Sequence, residues 1–246
     1  MKKSKKFGLI GKNIDYSFSK KYFSEKFKKE NLDYTYSNFD IVNISEIESI
    51  LQNNSISGYN VTIPYKEEII KFLDEIDEVA KDIGAVNTIK KIDNKNIGFN
   101  TDCIGFEKSF LPLIENKRPK NALILGTGGA SKAVEYVLRK YGIIYRSVSR
   151  SMGKSEFIYG NLNSDIMYNH KLIINCSPVG TFPNINLSPN IPYKYLDSSH
   201  ILFDMVYNPA ESLFLKKGTE KGCKTKNGLE MLEIQAEESW RIWEGV

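Results

Sequence analysis

The chain of 246 residues has only two histidines and three cysteines. His170 and His200 lie far apart, with no cysteine or second histidine at ligand spacing. Cys103, Cys176 and Cys223 form no metal-binding or CxxC pair, which predicts no metal site and reduced thiols. A histidine-centred triad is excluded in the same way, so acid–base chemistry falls to Lys, Asp or Tyr. No apolar run is long enough to span a membrane. The lysine cluster Lys2, Lys3, Lys5 and Lys6 ends on the short strand "FGLIG", too brief for a signal-peptide core, so a cytoplasmic protein is expected. A strong excess of one charge is also missing: 34 basic residues face 30 acidic ones, too even a balance to call for nucleic acid.

Apolar residues make up 41% of the chain, enough for one large or two modest cores. Over the first hundred residues, strand and helix patterns alternate. Strands are predicted at 5–11, at "DYTYSNFDI" and at Tyr59 to Ile63. Helices are predicted after N-caps Ser19 and Ser45, and from about Lys66 to Ile83. A hairpin with an Asp-Asn-Lys-Asn turn closes this part. After "ENKRPK" come apolar strands at "NALILG", "IYRSVSR", "KLIINCS" and "HILFDMVY", helices at "KAVEYVLRKYG" and "PAESLFLKKGTEKG", and a last periodic segment from Leu229 to Trp243. The expected architecture is α/β in two domains. A substrate-binding domain takes residues 1–103 and recovers 225–246, a compact Rossmann-like domain takes 104–224, and the active site lies in the cleft between them.

"GTGGAS" places Gly126, Gly128 and Gly129 between a buried strand and a helix, with Ser131 where a third glycine is usual. Glycines let backbone approach a pyrophosphate, and the helix N-terminus offers free N–H groups and a favourable dipole. The next strand ends in "SVSRS". It has no acid for a ribose hydroxyl, but Arg150 stands between Ser149 and Ser151, which suits a 2′-phosphate and favours NADP. Two Tyr-x-x-x-Lys matches, Tyr22/Lys26 and Tyr136/Lys140, sit where that dinucleotide chemistry does not use them and read as chance.

"SGYNVTIPYKEE" puts Lys66 just beyond a strand that a proline stops, at the edge where open α/β sheets bind small molecules. Taken alone, Lys66 reads as a surface lysine at a helix start and Asp102 as a helix cap.

Several motifs in order change this. "GKNIDYSFSK", "NVTIPYKE", "GAVNT", "NTD", "GTGGAS", "SRS", "NCSPVGT", "FDMVY" and "NGLEMLEIQ" together resemble the shikimate dehydrogenase family from the first strand to the last helix. The resemblance implies reversible NADPH-dependent reduction of 3-dehydroshikimate to shikimate, a step of chorismate and aromatic amino acid biosynthesis. It assigns Ser17 and Ser19 to the substrate carboxylate, and Thr62, Asn87 and Gln235 to ring hydroxyls. Lys66 and Asp102 become the catalytic pair, and Tyr207 a neighbour of carboxylate and cofactor. Gly126, Gly128, Gly129, Ala130, Ser149, Arg150 and Ser151 are implied to hold NADP. Partners are then a small-molecule substrate and neither nucleic acid nor membrane, in a monomer or homodimer. The sequence departs from the family pattern at Lys20 (usually proline), Cys103 (usually glycine) and Glu230 (often glycine), and in a short stretch between Arg150 and Leu172. Rival readings are acceptance of quinate or NAD, and a non-catalytic NADP-binding sensor on the same fold.

Overall fold

The computed structural model describes residues 4–15, 17–115, 118–151, 153 and 155–245; Lys2 and Lys3 of the amino-terminal cluster fall outside them. The chain forms two compact units. One holds residues 1–101 and 235–246, the other 102–234.

In the first unit the elements are β1 (Lys5–Gly11), α1 (Phe18–Lys29), β2 (Tyr34–Asp40), α2 (Ile47–Leu51), β3 (Gly58–Val61), β4 (Glu75–Ile76), α3 (Glu78–Ile83), β5 (Thr88–Ile92) and β6 (Lys95–Phe99). Their sheet has the order β2-β1-β3-β5-β6-β4. β1 runs parallel to β2 and β3, while β5 is antiparallel to β3 and β6. Asp93 and Asn94 take positive φ at the tip of the β5–β6 hairpin, a conformation these two residue types tolerate best after glycine.

Four sequence expectations are corrected. Ser17, not Ser19, caps α1, its hydroxyl accepting from the Lys20 amide at 3.3 Å. The turn before α2 is closed by Glu46, whose carboxylate accepts from the amides of Val42 and Asn43, so Ser45 is no cap. The strand around Asn60 ends at Val61, not Ile63. The stretch from Lys66 to Ile83 is not continuously helical. It holds a turn, a 3-10 helix at Glu68–Phe72, β4, and then α3 capped by Asp77. Pairing to β6 wins over helix propensity there, through Asp74 N to Asn96 O and Asp77 N to Gly98 O.

The second unit contains α4 (Asp102–Ile114), β7 (Asn121–Leu125), α5 (Gly129–Lys140), β8 (Ile144–Ser149), β9 (Phe157–Ile158), α6 (Ser164–Asn169), β10 (Leu172–Asn175), β11 (Ile201–Asp204), α7 (Leu213–Thr219) and β12 (Lys224–Lys226). All the pairings of this sheet are parallel, in the order β12-β11-β10-β7-β8-β9. That is a doubly wound sheet, and the strand order reverses beside β7, where such sheets bind ligands. The short stretch after Arg150 still accommodates β9 and α6. Cys103 sits in the first turn of α4, and burial pushes its thiol up to about 12.

The final helix, α8 (Leu229–Glu244), supplies the first unit with Gln235, Ser239, Trp240 and Trp243. Trp243 stacks on Phe7 at 4.6 Å, contacts Phe23, and donates its indole N–H to the Ile89 carbonyl at 2.9 Å. Phe7, Phe23, Phe27, Tyr34 and Tyr36 complete this aromatic core. Trp243→Ala removes the largest of these rings and orphans a buried carbonyl. Urea unfolding is expected to show a loss of about 3–5 kcal/mol; a loss below about 1 kcal/mol contradicts this account of the core.

Candidate active site

One edge of the first sheet gathers the carboxyl ends of β1, β3 and β6 and the amino end of β5. Thr62 follows β3, its amide bonded to Ile10 O at 2.9 Å. Lys66 lies in the turn beyond, half-buried, its carbonyl accepting from the Val86 amide at 2.8 Å. That bond fixes the backbone of Lys66 one residue from Asn87. Ser17 and Ser19 begin α1 just past the end of β1.

Asn87 is buried and every polar atom of its amide is used. Its Oδ1 accepts from the Thr101 amide at 2.7 Å and from the Thr88 hydroxyl at 3.1 Å. Its Nδ2 donates to Thr101 Oγ1 at 2.9 Å and to Gln235 Oε1 at 3.3 Å. The network continues through Thr88 Oγ1 to Ser239 Oγ at 2.8 Å, then to Asn60 Nδ2 at 3.0 Å. Asn60 Oδ1 accepts from Tyr36 OH at 2.8 Å, and the same hydroxyl is hydrogen-bonded by Ser19. Three of the six expected substrate residues, Ser19, Asn87 and Gln235, therefore sit in or against one polar layer inside the first unit, while Thr62 lies just past β3 and Ser17 caps the adjoining helix. Sequence reasoning passed over Tyr36, Asn60, Thr88, Thr101 and Ser239. A signal existed for the last: Ser239 lies four residues after Gln235, on the same helical face.

Asp102 directly follows the clamped Thr101, is buried, and opens α4 in the second unit.

In that unit, Gly126 ends β7 with φ 112°, and its amide bonds Val148 O at 2.9 Å. A Cβ there would crowd the Ser177 amide at 3.2 Å. Gly128 differs: its backbone is extended, and a Cβ would meet no protein atom within 4 Å. Its lack of a side chain is not demanded by the protein's own packing. The open space lies at the N-terminus of α5, a helix of 12 residues that begins at Gly129 and Ala130 without a capping side chain. This arrangement fits a pyrophosphate. Ser149, Arg150 and Ser151 lie on the neighbouring strand end. Ser149 Oγ donates to Ser151 O at 2.7 Å and shapes the turn, and the Arg150 side chain is exposed.

The lysine of each Tyr-x-x-x-Lys match is held by a glutamate. Tyr22 and Lys26 bond Glu237, and Lys140 pairs with Glu107. Among the described residues no group of three His, Cys, Asp or Glu gathers as metal ligands, and no helix is long and apolar enough to cross a membrane.

Tyr207 stands three residues after β11, and burial pushes its hydroxyl upward. The strand's last residue, Asp204, was not singled out from sequence. It is fully buried, and among the described residues no cation pairs with it. Burial raises its carboxyl to about 6, against the opposing hydrogen bonds of Ser212, Val206 and Asn175. The titratable groups that feel its charge, Cys176 and Tyr193, are themselves pushed up and stay neutral in that range. Between the unfolded value of 3.8 and about 6 the native state binds more protons than the unfolded one, so stability falls as pH rises through this window. The cost at neutral pH is on the order of 3 kcal/mol. Asp204→Asn is expected to flatten the fall in urea-unfolding free energy between pH 4 and 6; an unchanged slope contradicts the assignment.

A model of the shikimate dehydrogenase substrate binding domain matches residues 9–89. Shikimate dehydrogenase (NADP(+)) of Methanococcus maripaludis strain C6 is 41% identical over 99% of this chain and 92% of its own length. A crystal structure of shikimate dehydrogenase in complex with NADP+ superposes with a TM-score of 0.87 at 35% identity, covering 99% of this chain and 91% of that one. The enzyme of Thermus thermophilus, solved in complex with NADP(H) and shikimate, gives 0.84 at 27% identity over 98% and 94%.

Proposed function

Because this chain belongs to the shikimate dehydrogenase family, we propose that it catalyses the reversible NADPH-dependent reduction of 3-dehydroshikimate to shikimate, a reaction of the chorismate branch leading to aromatic amino acids. The carrying observation is full-length identity of 41% to an NADP(+)-dependent relative, joined to a chain that keeps the motif residues in order. The work takes place in the cytoplasm, on a small-molecule substrate, in a monomer or homodimer. Residues 1–103 with 225–246 form the substrate-binding part, and 104–224 the cofactor-binding part.

Shikimate is a small anion bearing three hydroxyls. Hydroxyl and amide side chains read such groups directionally, and an analogue lacking one leaves a buried polar atom unpaired. Ser17 and Ser19 hold the carboxylate; Thr62, Asn87 and Gln235 hold ring hydroxyls. The shared polar layer supports this reading, because it gathers hydroxyl and amide groups at one place; Asn87, whose four bonds are met inside the protein, takes a ring hydroxyl by exchanging one of them. Tyr207 serves the carboxylate and nicotinamide side of the site.

Gly126, Gly128, Gly129 and Ala130 hold the pyrophosphate, and Ser149, Arg150 and Ser151 the 2′-phosphate. The nicotinamide, when bound, supplies the hydride. Lys66 donates the proton that the developing alkoxide requires, and Asp102 is its acid–base partner.

Three measurements test this reading. Purified protein is expected to oxidise shikimate with NADP+, followed by NADPH absorbance, and Lys66→Ala to lose about a hundredfold to ten-thousandfold in kcat while nucleotide affinity persists. Full turnover in that variant removes Lys66 from the mechanism. Arg150→Ala is expected to weaken NADPH about tenfold or more while leaving NADH unchanged, as loss of a charge-assisted contact to the 2′-phosphate requires; equal effects on both nucleotides count against its role. Gly128→Ala separates fold from cofactor. Its Cβ meets no protein atom, so unfolding stability is expected to hold within about 1 kcal/mol, while NADPH affinity falls at least tenfold. Retained affinity places the phosphates elsewhere.

A further inference from the structure

Two loops flank the carboxyl ends of β10 and β11, and one buried carboxylate ties them together. Asp204 Oδ1 accepts from the Val206 amide at 3.0 Å and from Asn175 Nδ2 at 2.9 Å; Oδ2 accepts from the Ser212 hydroxyl. The donors come from two segments. Val206 starts the loop that carries Tyr207. Ser212 caps α7 through the Leu215 amide, closing the same loop at its far end. Asn175 ends β10 and organises the next turn: its Oδ1 accepts from the Ser177 amide and hydroxyl at 3.1 and 2.6 Å, and its Nδ2 reaches Val179 O at 3.3 Å. That turn then returns to the Tyr207 loop, where the Phe182 amide donates to Asn208 O at 3.0 Å. The path closes on itself, from Asp204 through Asn175, residues 177–182, Asn208 and the loop back to Val206.

A buried carboxylate without a counter-cation is costly, and a fold gains nothing in stability by keeping one where an amide makes similar bonds. What the side chain supplies is a set of acceptors, Oδ1 for the Val206 amide and Asn175 Nδ2 and Oδ2 for the Ser212 hydroxyl, and an amide oxygen at this position can take the first two. Gly228 reinforces the same loop from the other side: its amide bonds Val206 O at 3.2 Å, and its Cα sits so close that a Cβ would lie 2.3 Å from Met205 O.

We propose that Asp204 is a positioning residue for the reaction, holding the 205–208 loop so that Tyr207 is presented to the substrate in one orientation. This rests on the reading of Tyr207 given above. The role differs from that of a packing residue, because its loss acts on turnover through Tyr207 rather than on the fold alone.

The test is a double-mutant cycle on the full chain with shikimate and NADP+, joined to amide hydrogen exchange at Val206. Asp204→Ala is expected to lower kcat/KM for shikimate about tenfold or more per folded molecule, to leave NADP+ affinity within about threefold, and to abolish protection of the Val206 amide. Tyr207→Ala is expected to lose a comparable factor, and the double variant to be little worse than either, since the two act through one loop. Asp204→Asn keeps acceptors for Val206 and Asn175 and is expected to restore both protection and kcat/KM to within about threefold. Should the alanine variant not fold, Asp204→Ser takes its place, with the same expected losses. If Tyr207→Ala costs turnover while Asp204→Ala or Ser does not, or if the two losses multiply fully, Asp204 has no positioning role. If Tyr207→Ala costs nothing, the reading of Tyr207 itself is wrong and the inference goes with it. A tenfold loss in Asp204→Asn also overturns it, because the hydrogen bonds to the loop persist there.

Discussion

The amide of Asn87 is the fixed point of the first unit. Buried in low dielectric, it would be expensive with any atom unpaired, and every atom is paired. The bond from the Thr101 amide ties the end of β6 to the start of β5. The Val86 to Lys66 bond, one residue away, ties the turn after β3 to the same place. Gln235 joins from α8. Three segments far apart in sequence thus have their positions set by one side chain and its immediate neighbour.

The second unit depends on backbone rather than side-chain chemistry. Gly126 needs its positive φ to leave β7 under the Val148 carbonyl, and only glycine does this without strain. Gly128 has no such need: its backbone is extended, and a Cβ there meets no protein atom within 4 Å.

Much of this was legible beforehand. The glycine turn, the buried parallel strands and the hairpin at Asp93 and Asn94 each follow from short-range rules that act within a few residues. The cap of α1 was misassigned because Ser17 and Ser19 are both good caps. The choice fell to Ser17, whose amide closes a turn on Ile14 O and places its hydroxyl over Lys20 N. The stretch from Lys66 to Ile83 misled for the opposite reason. Local propensity favours helix, but pairing to β6 is a long-range gain that no window of sequence reveals. The polar layer was half visible. Asn87 and Gln235 were found through motif resemblance, whereas Thr88, Ser239 and Asn60 are ordinary residues that gain meaning only from one another. Asp204 was hidden similarly, since an aspartate at a strand end reads as solvent-facing and this one is wholly enclosed.

The bond from Trp243 to Ile89 spans 154 positions, and the one from Ser239 to Asn60 spans 179. During synthesis on the ribosome, the first hundred residues emerge with their aromatic core unfilled and their polar layer open. They must wait for the far end of the chain before they can settle. The doubly wound unit draws on the continuous block 102–234 and needs no segment from beyond it. Until residues 235–243 have emerged, the rings that Trp243 covers stay exposed and are a natural target for chaperone capture.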